Sequence, residues 1–165
     1  MSDLGLVTNA GRILRAQLLA GQDVGALSWC AIGSGNWGDI ENPPLETTEA
    51  TGLANEYGRK RIQRFAYLEQ DDDDGVISWN GHFYAEVLDP TPITAFFTTF
   101  QEAEAVGANI AELGIFGGNV ITASSPFALA ANVVAPGVLY WIQHRPLFIK
   151  TVRDTYEVIA IFEER

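Results

Sequence analysis

The chain has 165 residues, 47% of them hydrophobic and 19% charged, which suits a single hydrophobic core and is short for two ordinary domains. Its 21 aspartates and glutamates outnumber its 10 lysines and arginines, so the net charge is −11. An acidic chain repels DNA, RNA and anionic lipid, and we expect no nucleic-acid or membrane partner. No apolar run reaches the ~20 residues of a membrane span, and the start lacks a secretory signal pattern. We therefore expect one domain over residues 1–165 that folds in a cytoplasm.

The first predicted element is a helix that follows Val7. Thr8 or Asn9 can cap its N-terminus, and Gly21 suits the left-handed residue that ends a helix. Apolar residues recur at helical spacing along one side, namely Ala10, Ile13, Leu14 and Leu18. This periodicity predicts that one face of the helix is buried in the core.

A strand, a glycine-rich loop and a second helix are predicted next. Residues 27–32 are apolar and suit a strand, and residues 33–38 contain three glycines that break it. After two consecutive prolines, residues 45–57 are predicted to form a short helix with Leu53 on its inner side.

The middle of the chain is predicted to form a β-hairpin. Residues 59–68 are assigned to one strand that begins with a basic run, and residues 76–88 to the strand that returns beside it. The four aspartates Asp71 to Asp74, followed by Gly75, are assigned to the turn between them.

Five further apolar stretches are predicted to be strands: Ile93 to Phe100, Ile110 to Phe116, Val120 to Val134, Val138 to Gln143 and Thr155 to Phe162. The last is apolar on both faces, which predicts a place at the centre of a sheet or in a subunit contact. Together these elements predict an α+β fold, a mostly antiparallel β-sheet with an N-terminal helix and a second short helix packed on it.

No cofactor or metal site is predicted. The aspartates at 71–74 lack the alternating ligand spacing of a calcium loop, and a solvated turn is the favoured interpretation. His82 and His144 have no cysteine, histidine or carboxylate at a metal-ligand spacing. The glycines at 33–38 match neither a phosphate loop nor a dinucleotide fingerprint. Cys30, the single cysteine, is expected to be a small buried hydrophobe.

An enzyme is not expected. Spacing cannot exclude a Ser-His-Asp triad, because triads assemble in space, but Ser34 lies in a glycine run too short for a nucleophile elbow. Glu112 is a carboxylate among apolar neighbours in a predicted strand. Since burying such a charge is costly unless it is paired, we favour an ion pair with an arginine of the basic run over a role as general acid.

Two features are candidates for binding a partner protein. Four basic residues lie close together in this acidic chain, namely Arg59, Lys60, Arg61 and Arg64. They form either a solvated strand edge balanced by nearby acidic residues or a docking site for an acidic neighbour. The second candidate is Trp37, because an exposed aromatic residue on a loop concentrates binding energy. The alternative for its loop is a plain tight turn.

The order of these segments resembles that of one known family. Four segments carry the resemblance: Val7 to Gly21, Trp29 to Gly35, Arg59 to Arg64 and Asn109 to Gly118. In this order they resemble the N-terminal domain of phage tail-collar fibre proteins, which joins a fibre to the tail baseplate. Ala111 and Gly117 depart from the family pattern, which has an arginine and an acidic residue at those places.

The resemblance implies a structural protein of a phage tail, assembled in the host cytoplasm and located in the virion tail. Its implied partners are other tail proteins, from a baseplate wedge or a tail fibre, with a homo-oligomer or one copy per wedge as the arrangement. Family fibres continue beyond such a domain, whereas this sequence stops at Arg165, so a separate connector is the expected role.

The alternative is a β-rich carbohydrate-binding module for host-surface glycans. Four tryptophans are its candidate sugar platforms, namely Trp29, Trp37, Trp79 and Trp141. Three of them lie in predicted strands, which favours a place in the core. Saturable glycan binding by the isolated chain would support the module, and a stable complex with a tail protein would support the connector.

Overall fold

The computed structural model describes residues 5–39 and 41–163, which form short β-strands and one α-helix. In chain order the elements are β1 (Leu6–Val7), α1 (Asn9–Leu19), β2 (Trp29–Gly33), β3 (Glu56–Arg61), β4 (Arg64–Gln70), β5 (Ile77–Trp79), β6 (His82–Val87), β7 (Ile93–Phe100), β8 (Asn109–Gly117), β9 (Ile121–Thr122), β10 (Phe127–Leu129), β11 (Val133–Ala135), β12 (Val138–Ile149) and β13 (Tyr156–Glu163). One turn of 3-10 helix, Ala130–Asn132, separates β10 from β11.

Two sheets form the body of the molecule. The six-stranded sheet has the order β1-β12-β8-β2-β3-β10, and the five-stranded sheet has the order β13-β7-β4-β6-β5. Neighbouring strands are antiparallel, as predicted. The largest buried cluster joins the two sheets, with Ile32 and Ile115 from the first and Phe100 and Val158 from the second. β9 and β11 form a separate two-stranded ribbon.

The five-stranded sheet also encloses a core of its own. Six buried residues form this second cluster, namely Leu68, Ile77, Tyr84, Ala95, Phe97 and Ile161. All of them lie on strands of this one sheet. A single sheet can bury its own residues against one another only if it curls, and its two edge strands, β5 and β13, accordingly line a shared cleft. The predicted central place of the last strand is therefore wrong, because β13 is an edge strand with apolar residues facing both clusters.

The N-terminal helix is confirmed, with Thr8 as its cap. The Thr8 hydroxyl accepts a hydrogen bond from the Gly11 amide at 2.9 Å and donates one to the Leu139 carbonyl at 2.5 Å. These bonds tie the start of α1 to β12. The predicted buried face is partly wrong, since Ile13 is 62% and Leu18 is 37% exposed.

Gly11 explains how the helix is rotated. A Cβ atom at this position would lie 2.3 Å from the Tyr140 carbonyl oxygen, so the helix backbone approaches β12 more closely than a larger residue allows. This contact turns Gly11 and Leu14 toward the sheet, where both are buried.

The predicted second helix over residues 45–57 is wrong. Residues 41–55, which we call the strap, contain turns and irregular backbone, and the last two residues of the predicted helix belong to β3. Three threonines and Gly52 make the strap a poor helix former. Its backbone bonds to other elements instead, as when the Asn9 amide donates to the Thr48 carbonyl at 2.8 Å.

The strand predicted over residues 59–68 is divided between the two sheets. β3 ends at Arg61 in the six-stranded sheet, and β4 begins at Arg64 in the five-stranded sheet. The two connecting residues bond to different sheets. The Ile62 amide donates a hydrogen bond to the Ser28 carbonyl, just before β2, and the Gln63 amide donates one to the Phe97 carbonyl in β7, each at 2.9 Å. The basic run therefore spans the crossing between sheets.

The hairpin is confirmed in its pairing and wrong in its extent. β4 pairs with β6 as predicted, but the returning segment is two strands, β5 and β6, joined by a tight turn. Asn80 and Gly81 form this turn with φ of 52° and 80°. Asn-Gly is the strongest short hairpin signal in a sequence and identifies the missed turn.

Candidate functional site

Arg59 is the most deeply buried of the four basic residues predicted to bind a partner. Its side chain is 1% exposed, and its guanidinium forms a two-bond pair with the Glu56 carboxylate at 2.7 and 2.8 Å. It also donates to the Pro136 carbonyl at 2.8 Å and lies 4.1 Å from the centre of the Phe116 ring. Contacts within its own chain therefore already use the hydrogen-bonding groups of the Arg59 guanidinium.

Lys60 and Arg64 are also paired within the chain. The buried Lys60 ammonium forms an ion pair with Glu104. Arg64 is exposed, but its guanidinium makes two hydrogen bonds of 2.8 Å to Glu86 and lies 3.6 Å from the centre of the Phe97 ring. Both side chains therefore hold parts of the fold together.

Arg61 is exposed like Arg64, but it differs from the other three because it has no acidic partner among the described residues. Its guanidinium lies 5.0 Å from the centre of the buried Trp29 ring. Over residues 5–39 and 41–163, no carboxylate comes within ion-pair distance of it. Arg61 and Trp29 border an open recess whose other wall includes Gly118, Asn119 and Ile121. The recess thus presents an available cation beside the apolar side chain of Ile121, which is 55% exposed.

Trp37 is partly buried and is not the exposed anchor that its loop position predicts. The ring packs on Gly35, where a Cβ atom would lie 2.4 Å from it, and its centre is 4.6 Å from that of the His144 ring. Its buried indole Nε1 has no hydrogen-bond partner in the described part of the chain. Trp37 therefore covers His144, and its role in partner binding stays a prediction.

Glu112 is buried at 2% exposure, and the predicted ion pair with an arginine is wrong. Glu112 lies opposite His144 where β8 pairs with β12, and its Oε1 is 3.4 Å from His144 Nε2. Its Oε2 accepts a hydrogen bond from the Ala54 amide of the strap at 2.9 Å. The buried Arg59 is unavailable because Glu56 pairs with it.

His144 is the central residue that sequence reasoning missed. Its backbone amide donates to Glu46 Oε1, and its ring Nδ1 lies near the Pro44 carbonyl oxygen, each at 2.8 Å. Burial acts to lower the pKa of His144, but hydrogen bonds to Glu112 and to the Pro44 carbonyl outweigh it, so this pKa lies above its ordinary value. The strand predicted over residues 138–143 stops one residue before His144. A prediction that included His144 would have given Glu112 a polar neighbour on the adjacent strand.

The aspartate run forms a turn stabilised by its own hydrogen bonds. Asp71 Oδ1 accepts from the Asp74 amide at 3.0 Å, and Asp72 Oδ1 accepts from the Phe83 amide at 2.8 Å. The bond from Phe83 is the main reason that the pKa of Asp72 lies below its ordinary value. Among the residues that the structure describes, no three or more histidine, cysteine, aspartate or glutamate side chains are grouped to hold a metal ion. None of the helices within the described ranges is long and apolar enough to cross a membrane.

The tryptophans do not form a row of exposed rings. Trp29 and Trp141 are 1% and 3% exposed and belong to the core. Trp79 is partly buried, with its ring centre 5.5 Å from that of Tyr84, and Trp37 is packed on His144. Trp79 and Trp141 both line the cleft between β5 and β13, and the carbohydrate-binding alternative stays a prediction.

Cys30 is fully buried, as predicted, and burial raises the pKa of its thiol to about 12. Because alkylation requires an accessible thiolate, we expect iodoacetamide at neutral pH to leave the native protein unmodified and to alkylate it in urea. Intact-mass measurement gives a simple readout, since this is the single cysteine of the chain. Equal alkylation rates in both conditions would contradict this prediction.

A known family matches almost the whole chain. The family model described as "Baseplate wedge 3 tail fiber network component" matches residues 5–162. A search of the curated proteins found no match. The family match confirms the resemblance to a phage tail fibre and baseplate attachment domain. It identifies a structural component of a phage tail, located in the virion tail in association with other tail proteins.

Proposed function

The chain belongs to the family of baseplate wedge 3 tail fibre network components, and we propose that it is a non-catalytic connector of a contractile phage tail. It attaches tail fibre or wedge components to the baseplate and is assembled in the host cytoplasm. One observation carries the choice of docking site. Of the four clustered basic residues, Arg61 is exposed and has no acidic partner within the described chain.

The recess at Arg61 suits a partner carboxylate. Contact with the Trp29 ring limits the orientations of the guanidinium, which lowers the entropy cost of forming two parallel bonds to an aspartate or glutamate. The exposed side chain of Ile121 adds apolar area at the same recess. Charge pairing at such a site contributes chiefly to specificity and orientation.

The other basic residues contribute to this proposal indirectly. Arg59 and Lys60 are buried in pairs with Glu56 and Glu104, so they position β3 and thereby Arg61. A non-catalytic role is supported by the use of Glu112, the buried carboxylate, in contacts that hold the strap. The connector acts either as a homo-oligomer or as one copy per wedge.

We expect Arg61→Glu to leave the fold intact and to weaken association with the partner tail protein by at least about tenfold, equivalent to ~1.4 kcal/mol. The reversed charge repels the carboxylate that the wild-type residue binds. Purified chain is mixed with each tail protein encoded beside it, and light scattering identifies the complex and its stoichiometry. Titration calorimetry then compares the dissociation constants of the variants.

The matched control is Arg153→Glu, which makes the same charge change at another exposed arginine. It should bind within about twofold of wild type, as surface charges outside the interface contribute little. Equal loss in both variants would indicate a nonspecific effect of net charge, and unaltered binding by Arg61→Glu would remove the recess from the interface. A chain that forms no complex with any neighbouring tail protein would contradict the connector itself.

A further inference from the structure

The contacts around the His144 ring favour the form that carries two protons. Ring Nδ1 faces the Pro44 carbonyl oxygen at 2.8 Å, and ring Nε2 faces Glu112 Oε1 at 3.4 Å. A carbonyl only accepts hydrogen bonds, so Nδ1 donates to Pro44, and a proton on Nε2 gives the ring the positive charge that attracts the Glu112 carboxylate. With Glu112 ionised, the imidazolium form, which carries a proton on both nitrogens, satisfies both contacts.

The same cluster holds the strap against the six-stranded sheet. From the strap, Glu46 accepts the His144 backbone amide at 2.8 Å, and the Ala54 amide donates to Glu112 at 2.9 Å. With the bond at Pro44, three attachments of the strap converge on one histidine–glutamate pair. The Trp37 ring packs against the His144 ring, with 4.6 Å between the ring centres.

We propose that the strap is a latch controlled by protonation of His144, closed when the imidazole is charged and released when it is neutral. Loss of one proton leaves a ring nitrogen with its lone pair directed at an oxygen atom of Glu112 or Pro44. The contact then changes from attractive to repulsive. This inference is independent of the proposed partner at Arg61.

The direction of the pH dependence follows from the charges that face the ring. β8 contributes the Glu112 carboxylate and the strap contributes that of Glu46, whereas Trp37 contributes an uncharged ring. The two carboxylates and the Pro44 carbonyl raise the pKa of His144 in the folded chain against the effect of burial. The stabilisation is therefore complete below the unfolded value of about 6.5 and is lost as pH rises through the raised folded value.

Release of the strap would uncover apolar surface. Ala50 and Leu53 of the strap pack on a cluster that includes Phe116, Leu139 and Ile142 on the six-stranded sheet. A Cβ atom on Gly114 would lie 3.0 Å from a Leu53 methyl carbon, which shows how closely the strap approaches β8. The latch thus controls access to this face of the sheet.

The test is an NMR titration of the full chain between pH 5.5 and 9. The chain has two histidines, so His82→Gln assigns the ring signals of His144 and serves as a control that leaves the cluster intact. We expect the His144 signals to titrate above the ordinary histidine value of about 6.5. The Ala54 and His144 amide signals should shift with the same midpoint, and the heteronuclear NOE of the strap amides should fall as the latch opens.

His144→Gln should abolish this transition in the strap amides, whereas His82→Gln should retain it. Strap amides that stay unchanged and rigid while His144 titrates would overturn the proposal, and so would a transition that persists in His144→Gln. If His144→Gln does not fold, the wild-type titration decides alone. A His144 midpoint at or below the ordinary value would then refute the latch.

Discussion

Replacing Arg59 with alanine is expected to lower the free energy of unfolding by about 3–5 kcal/mol, the usual cost of removing one member of a buried ion pair. The variant leaves the Glu56 carboxylate, which is 16% exposed, without its bidentate partner. It also removes the donor to the Pro136 carbonyl and the cation over the Phe116 ring. Urea unfolding monitored by circular dichroism measures the difference.

Arg61→Ala is the matched control, two residues along the same chain. Its guanidinium is exposed and stacks on Trp29, and such a contact contributes about 0.5–1 kcal/mol. Comparison of the two variants therefore separates a structural arginine from one available for binding. A loss below about 1 kcal/mol for Arg59→Ala would mean that water or another side chain satisfies the groups left behind.

Leu14→Ala is expected to lower the free energy of unfolding by about 2–5 kcal/mol through lost burial and the cavity that remains. Leu14 is 1% exposed and packs over Gly117, since one of its methyl carbons lies 3.0 Å from the position of a Cβ there. Ile13→Ala removes a neighbouring aliphatic side chain that is 62% exposed, and it should change stability by no more than about 0.5 kcal/mol.

Thermal and urea unfolding of both helix variants test the rotation of α1. Equal losses for Leu14→Ala and Ile13→Ala would place both residues in the core, in the orientation that periodicity alone predicts. A loss confined to Leu14→Ala would support the close approach at Gly11 as the cause of the observed orientation.

Gly117 illustrates how a departure from a family pattern can follow from packing. A Cβ atom on Gly117 would lie 2.8 Å from a Leu27 methyl carbon and 3.0 Å from one of Leu14. The acidic side chain that the resemblance places here would collide with both leucines. In this chain the helix and the segment before β2 occupy that space instead.

Features that depend on neighbours in the chain were determined by the sequence alone. The sequence offered Thr8 and Asn9 as caps because such side chains can reach an amide of the first turn, and the structure shows the bond from Thr8 at 2.9 Å. Strands β7, β8 and β13 follow long apolar runs and lie where those runs predict. The family was also recognisable from short phrases in their order, which the match over residues 5–162 confirms.

Features that depend on distant residues were decided only by the tertiary structure. The strap is not helical because its polar backbone groups bond to α1 and β8, and helix propensity is too weak to oppose such contacts. The basic run divides because its two halves pair with different sheets, leaving Arg61 exposed beside the buried Arg59. Glu112 pairs with His144, 32 positions away, because strand register brings them face to face. Composition and periodicity predict which apolar residues lie in the core. Strand register and the curvature of the sheets decide which side chain pairs with each buried charge.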